Sequence, residues 1–268
     1  LSLTVSAAKT ILHSLDDDDN ISIVTYSSEA RTIVRYQPCT AENKALVAGE
    51  LDALKPVSNT NMWAGMIESL DILRETSPQN KNKGILLLTD GVPNVEPPRG
   101  HETMLQRYFD SNDFRCMISC YGFGYNLNSE LLLNISNISG GDGYSFIPDA
   151  SILGSVFING ISNLLLTCAT NCTLKINLSS GAVSPDGSLA QEVHIDSLKY
   201  GKTKNFVFDV DVSGIDESKL RTFANLTLTL PNDKNIQCHQ NTNNNNMMQQ
   251  QLFRLEAIDT INQCISLK

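Results

Sequence analysis

Gly84-Ile85-Leu86-Leu87-Leu88-Thr89-Asp90-Gly91 is an unbroken apolar run closed by a carboxylate and a glycine. A strand with one wet face alternates apolar and polar residues. A run without alternation suits a strand covered on both faces, as in a parallel sheet layered between helices. The neighbouring segments have the periods such a sheet needs. Upstream, Met62–Arg74 reads as a helix with Met66, Ile67, Leu70 and Leu73 inward, and Ala41–Leu54 as another, stopped by Pro56. Before them lie two short strands, Ile21–Tyr26 and Thr32–Tyr36, and a helical pattern through Leu3, Val5, Ala8, Ile11 and Leu12 that ends at Asp16–Asp19. Downstream come a Pro-rich loop (Pro93–Pro98), a helix (His101–Ser111), a strand (Cys116–Tyr121), a helix (Ser129–Ile138), a strand (Tyr144–Ile147) and a long helix (Ile152–Leu166). This alternation predicts an α/β fold, a doubly wound and mostly parallel sheet with helices on both faces, over residues 1–168.

The texture changes near Thr170. Leu174–Leu178, Phe206–Val212 and Leu226–Leu230 alternate, with turn signals at Pro185-Asp186-Gly187, Ser213-Gly214 and Pro231-Asn232-Asp233. Residues 169–240 are therefore expected to form a smaller antiparallel, β-sandwich-like domain. Residues 241–251 read as an Asn/Gln-rich linker. Residues 252–268 read as an amphipathic helix, with Leu255, Ile258, Ile261 and Ile265 at helical spacing and no partner in this chain.

Composition narrows the function. The 268 residues carry 29 Asp and Glu against 20 Lys and Arg, a net charge of −9, which argues against a nucleic-acid binder. No apolar run approaches the roughly 20 residues of a membrane span. Seven cysteines cannot all pair internally, and none form C-x-x-C pairs. Cys116 and Cys120, four apart in an apolar run, read as small buried residues, and a reducing, cytoplasmic setting is the better reading. Cys168, Cys172, Cys238 and His239 lack the spacing of a zinc knuckle.

The strongest chemical constellation is Thr60 with Asp90. In an open α/β sheet, ligands bind beyond the carboxyl ends of the strands. Asp90 ends a buried strand there, and Thr60 lies in the polar loop before the helix expected to pack beside it. A carboxylate and a hydroxyl are hard oxygen donors, suited to an octahedral ion of the magnesium or manganese type.

These segments carry a resemblance. Ser58-Asn59-Thr60-Asn61-Met62-Trp63-Ala64-Gly65 looks like the second metal-site motif of a von Willebrand factor A domain, and Ile85–Pro93 looks like the third. Asp19–Ser28 resembles the family's second strand and following loop. The resemblance implies a metal-ion-dependent adhesion site, a cation-dependent protein-binding role without enzymatic activity, and a protein partner whose acidic side chain completes the coordination sphere. Carried over, Thr60 and Asp90 are the metal residues, and Asn61, Gly91, Pro93 and Asn94 line the partner surface. The family's first motif, D-x-S-x-S, does not occur at the start of this chain, where Leu1 stands just past its expected place. The expectation is that an upstream segment supplies that motif and a strand between Ile21–Tyr26 and Gly84–Thr89. With two oxygen groups alone, this chain should hold Mg²⁺ or Mn²⁺ weakly. Tyr121–Asn126 and Phe146–Asp149 further resemble an intracellular eukaryotic subgroup. That resemblance implies an alternative: the recruiting part of a ubiquitin-ligase-like or Hint-type enzyme whose catalytic domain lies elsewhere.

Other motifs carry less. Gly122-Phe123-Gly124 begins like a dinucleotide fingerprint but lacks its third glycine, so a strand-to-helix turn is the plainer reading. Asp16, Asp18 and Asn20 start like a calcium loop, but Ile21 and Ser27 stand where glycine and glutamate belong. Trp63 reads as a core anchor or, alternatively, as a rim residue beside the metal crest.

Overall fold

A computed structural model describes residues 2–57, 59–77, 82–141, 143–179, 181–215, 223–230, 234–239, 249 and 251–258. The chain divides into two compact units, Leu1–Thr167 and Cys168–Lys268.

The first unit runs α1 (Ser2–Ser14), β1 (Asn20–Tyr26), β2 (Ala30–Pro38), α2 (Ala41–Asp52), α3 (Met62–Thr76), β3 (Gly84–Thr89), α4 (His101–Asn112), β4 (Met117–Phe123), α5 (Ser129–Ile138), β5 (Tyr144–Ile147) and α6 (Leu153–Leu165). Strands β3, β4 and β5 form a parallel sheet in that order. β1 and β2 form a separate antiparallel hairpin. The fold is thus the expected α/β class, with its parallel part centred on β4.

The unbroken run of β3 does what its composition demands. Ile85 and Leu87 join one core with Met62, Met66 and Leu70 of α3, Leu105 of α4 and Leu132 of α5. Leu86 and Leu88 join another with Ala7 and Ile11 of α1 and Phe157 and Ile161 of α6. Successive strand side chains point to opposite faces, so a strand with helices on both sides has no wet position left for a polar residue. β4 behaves alike and is buried throughout, with Cys120 on the first face and Tyr121 and Phe123 on the second. The hairpin packs on α1 and α2 through Leu12, Val34, Val47 and Leu51.

Helix ends follow local chemistry. Thr40, Asn61 and Asn128 precede α2, α3 and α5, and the side chain of each accepts a hydrogen bond from a first-turn N–H. Gly124, with φ +78, supplies the left-handed turn after β4. Trp63 is partly buried against the α3 core rather than standing free.

The second unit contains β6 (Thr167–Leu178), β7 (Ala190–Lys199), β8 (Ala224–Thr229) and β9 (Asn235–His239) in one sheet ordered β7-β6-β8-β9. The pairs β6–β8 and β8–β9 are antiparallel. Among the described residues, Phe206–Val212 differs from the expected strand, since its only bridge joins Asp211 to Val183. Its alternation still has a use, because Phe208 and Val210 pack on Ile176, Leu178 and Ala182. The segment covers the sheet without joining a ladder. Residues 251–258 are helical, with Phe253, Leu255 and Ile258 exposed. Most of the expected linker, the turn at Pro231–Asp233 and the last turns of the expected C-terminal helix lie outside the described residues.

Gly160 fixes how closely α6 lies on the sheet. A Cβ there would overlap the Tyr121 hydroxyl, and the Tyr121 ring, 3% exposed and packed on Phe157 at 4.6 Å, would have to shift to admit it. Gly160→Ala is expected to destabilise the unit by about 1–3 kcal/mol. Gly154→Ala, on the same helix with nothing within 4 Å, should be neutral or stabilising. Thermal melting of the two variants checks this; equal melting points would refute the packing account.

Candidate metal centre

Three loops meet at the carboxyl edge of the parallel sheet: Ser27–Glu29 after β1, Asn59–Asn61 before α3, and Asp90–Asn94 after β3. Tyr26 brings the first to the third. Its hydroxyl donates to the Leu88 carbonyl at 2.9 Å, and burial pushes its phenol up to about 12, so it stays a donor at any physiological pH. Its ring lies against α3 at Gly65, where a Cβ would come within 2.6 Å of it. The glycine that closes the second motif is therefore needed for that close approach.

The loops are then tied residue by residue. The Asn61 N–H donates to the Ser27 carbonyl at 2.7 Å, and its side-chain amide donates to the Ser28 carbonyl at 3.0 Å. The Asn61 side-chain oxygen accepts from the Ala64 N–H at 3.1 Å and starts α3. Asn59 donates to the Ser28 hydroxyl at 2.6 Å. The Thr60 N–H donates to the Asn94 side-chain oxygen at 3.0 Å, and the Asn94 N–H donates to the Thr60 carbonyl at 3.2 Å. Buried Thr89 holds the start of the third loop, its hydroxyl donating to the Gly91 carbonyl at 3.0 Å.

The sequence-selected residues therefore converge. Asp90 is exposed on the crest, and the Thr60 hydroxyl lies 3.6 Å from where a Cβ on Gly91 would stand. Pro93 and Asn94 continue the same loop. The side chains of Asn61 and Asn94 are engaged in holding loops together. The sequence places Ser27 and Ser28 in the loop after the second strand but gives them no part in the site. The available signal was a pair of small hydroxyl residues ending a strand opposite an Asn-Thr-Asn loop.

A threonine hydroxyl and a carboxylate are both hard oxygen donors and fit magnesium or manganese. Two groups leave most of an octahedral shell to water or to other donors. Among the described residues, no three of His, Cys, Asp and Glu stand close enough to hold a metal ion. Other candidates separate. The Asp19 carboxylate accepts from the Asp16 N–H at 2.8 Å, closing the α1–β1 turn. Burial pushes the Cys116 and Cys120 thiols up to about 12, away from nucleophilic chemistry.

The third loop ends at His101, the first residue of α4. It is 2% exposed, and its Nε2 has no hydrogen-bond partner among the described residues. Burial lowers its pKa, against the charges of Glu96 and Glu102, which raise it. The folded state resists the proton that the unfolded chain accepts below about 6.5. The stability that neutral His101 contributes is therefore lost as pH falls from about 6.5 through the lower folded value. Urea unfolding at pH 7.5 and 5.5 should show a shallower loss for His101→Phe than for the unsubstituted chain, by up to about 1.4 kcal/mol per pH unit. Parallel pH profiles would refute it.

Comparison with known proteins agrees with this architecture. A family model of the von Willebrand factor type A domain matches residues 1–157. YfbK of Escherichia coli (strain K12), described as uncharacterized, is 28% identical over 69% of this chain, which spans only 32% of that protein. A von Willebrand factor type A structure from Catenulispora acidiphila superposes with a TM-score of 0.67 at 15% identity, covering 89% of this chain and 61% of its own. The pilus adhesin SpaC of Lactobacillus rhamnosus GG superposes with a TM-score of 0.50 at 14% identity, over 69% of this chain and 30% of its own. Among the described residues, no helix is long and apolar enough to cross a membrane. The chain belongs to the von Willebrand factor type A family.

Proposed function

We propose that this chain is a divalent-cation-dependent protein-binding module, acting by contact and not by catalysis. The carrying observation is the hydrogen-bonded junction of the Asn59–Asn61 and Asp90–Asn94 loops, which brings the Thr60 hydroxyl beside the residue next to Asp90. Thr60 and Asp90 are the cation donors in this reading, to Mg²⁺ or Mn²⁺. A carboxylate from a protein partner takes an open position on the ion. Gly91 and Pro93 line the partner surface, and Asn61 and Asn94 shape it. A net charge of −9 repels an acidic partner, so the ion is the attractive element of the contact.

The surface around the crest supports a partner. Val92 and Val95, in the third loop, are exposed. Tyr125, just past β4, is 86% exposed and packs on exposed Phe146 of β5 at 5.4 Å. Apolar groups grouped on one edge are the ordinary mark of an interaction site.

Two donors hold the ion weakly, because magnesium gives up water reluctantly. Mn²⁺ titration of the chain should show weak saturable binding that EDTA reverses. Asp90→Asn and Thr60→Val should each weaken it by roughly tenfold or more, the scale of losing a group that orients or binds the metal. Affinity unchanged from that of the unsubstituted chain in either variant would refute the assignment of that residue.

A further inference from the structure

We propose that Asn94 is a positioning residue for Thr60, and that Ser28 serves the neighbouring residues from the opposite side. The proposal rests on the cation reading of Thr60 and Asp90 and names what keeps those two groups in register.

Thr60 has no ladder of its own. It precedes Asn61, the N-cap of α3, so neither strand nor helix fixes its backbone. One residue supplies what is missing. Asn94 accepts from the Thr60 N–H through its side chain at 3.0 Å and donates its own N–H to the Thr60 carbonyl at 3.2 Å. This is a one-residue ladder in which a side-chain carbonyl replaces a backbone one. On either side, Asn59 is tied to the Ser28 hydroxyl, and Asn61 to the Ser27 and Ser28 carbonyls. Each residue of the loop is thus held from outside it.

The consequence falls on the threonine oxygen. A β-branched side chain is stiff at χ1, so Oγ1 follows the backbone closely. The clamp begins and ends on the loop that leaves Asp90. That loop turns at Gly91 and returns within four residues to grip Thr60. The distance between the two donors is then set by Asn94, a residue that is no donor itself. Exposure alone would mark Asn94 as a partner contact. Its bonds mark it as the part that holds the donors before a partner arrives.

Three variants of the full chain test this: Asn94→Ala, which loses the acceptor; Asn94→Asp, which keeps an acceptor oxygen in place; and Ser28→Ala. Amide hydrogen exchange is read at Thr60 and Asn61, with Leu70 of α3 as the internal control, and Mn²⁺ affinity is measured without any partner. Asn94→Ala should speed exchange at Thr60 by roughly tenfold, the worth of one hydrogen bond, and leave Leu70 unchanged. It should also weaken Mn²⁺, while Asn94→Asp restores slow exchange at Thr60. Ser28→Ala, which removes only the Asn59 acceptor, should speed exchange at Asn61 less than Asn94→Ala does at Thr60, since the Asn61 N–H still donates to the Ser27 carbonyl. Unchanged exchange at Thr60 in Asn94→Ala overturns the proposal, as does faster exchange with undiminished Mn²⁺ affinity. If the unsubstituted chain binds no Mn²⁺, the cation reading itself falls, and exchange at Thr60 alone still decides whether Asn94 is the clamp.

Discussion

Tyr26 joins its own strand, β1, to two elements that the backbone ladders leave apart from it, β3 and α3. The β1–β2 hairpin and the β3–β4–β5 sheet are separate among the described residues, so no ladder sets their relative position at the carboxyl edge. The Tyr26 hydroxyl on the Leu88 carbonyl does so, and its ring against Gly65 brings α3 into the same junction. Remove the close approach, and α3 is held off the ring that lies between it and the last turn of β3. The three loops of the candidate centre would then lose their common origin. A hydroxyl at the end of a rigid ring suits this task, because it spans a gap that a backbone bond cannot and it does not ionise near neutral pH.

Around that junction the architecture follows from burial. A sheet covered on both faces favours apolar residues along its strands, and β3 and β4 provide them at all positions but Thr89 and Ser119. Polar groups are pushed to the strand ends, where the loops emerge. Asp90 is exposed for this reason, one residue beyond buried Thr89. Exposed Tyr125 lies just past the end of β4 and packs on exposed Phe146, near the end of β5, so charge and apolar surface occur on one side of the unit.

Much of this was legible in the residues. Ser129–Ile138 and Tyr144–Ile147 begin and end where the periodicity places them, because an Asn cap and a glycine turn mark their borders. The Thr60 and Asp90 loops were legible as motifs. Phe206–Val212 shows the limit of pattern reading. Alternation reports which side chains meet a core, and Phe208 and Val210 do meet one, but it does not report whether the backbone has a ladder to join. Ser28 was invisible for a related reason: a serine after a strand looks like any turn residue until its partner loop is beside it.

The sequence by itself determined the class of the fold, the two-sided burial of β3 and the residue types at its crest, since these depend on composition and on periods read along one chain. Only the tertiary structure decided that Asn94 grips Thr60, that Gly65 exists for Tyr26 and that His101 is buried with a nitrogen unpartnered among the described residues. Those pairings join residues far apart in sequence, and a hydrogen bond or a close contact is fixed within a few tenths of an ångström. Local periodicity carries no information at that precision; the packing of helices on a sheet does.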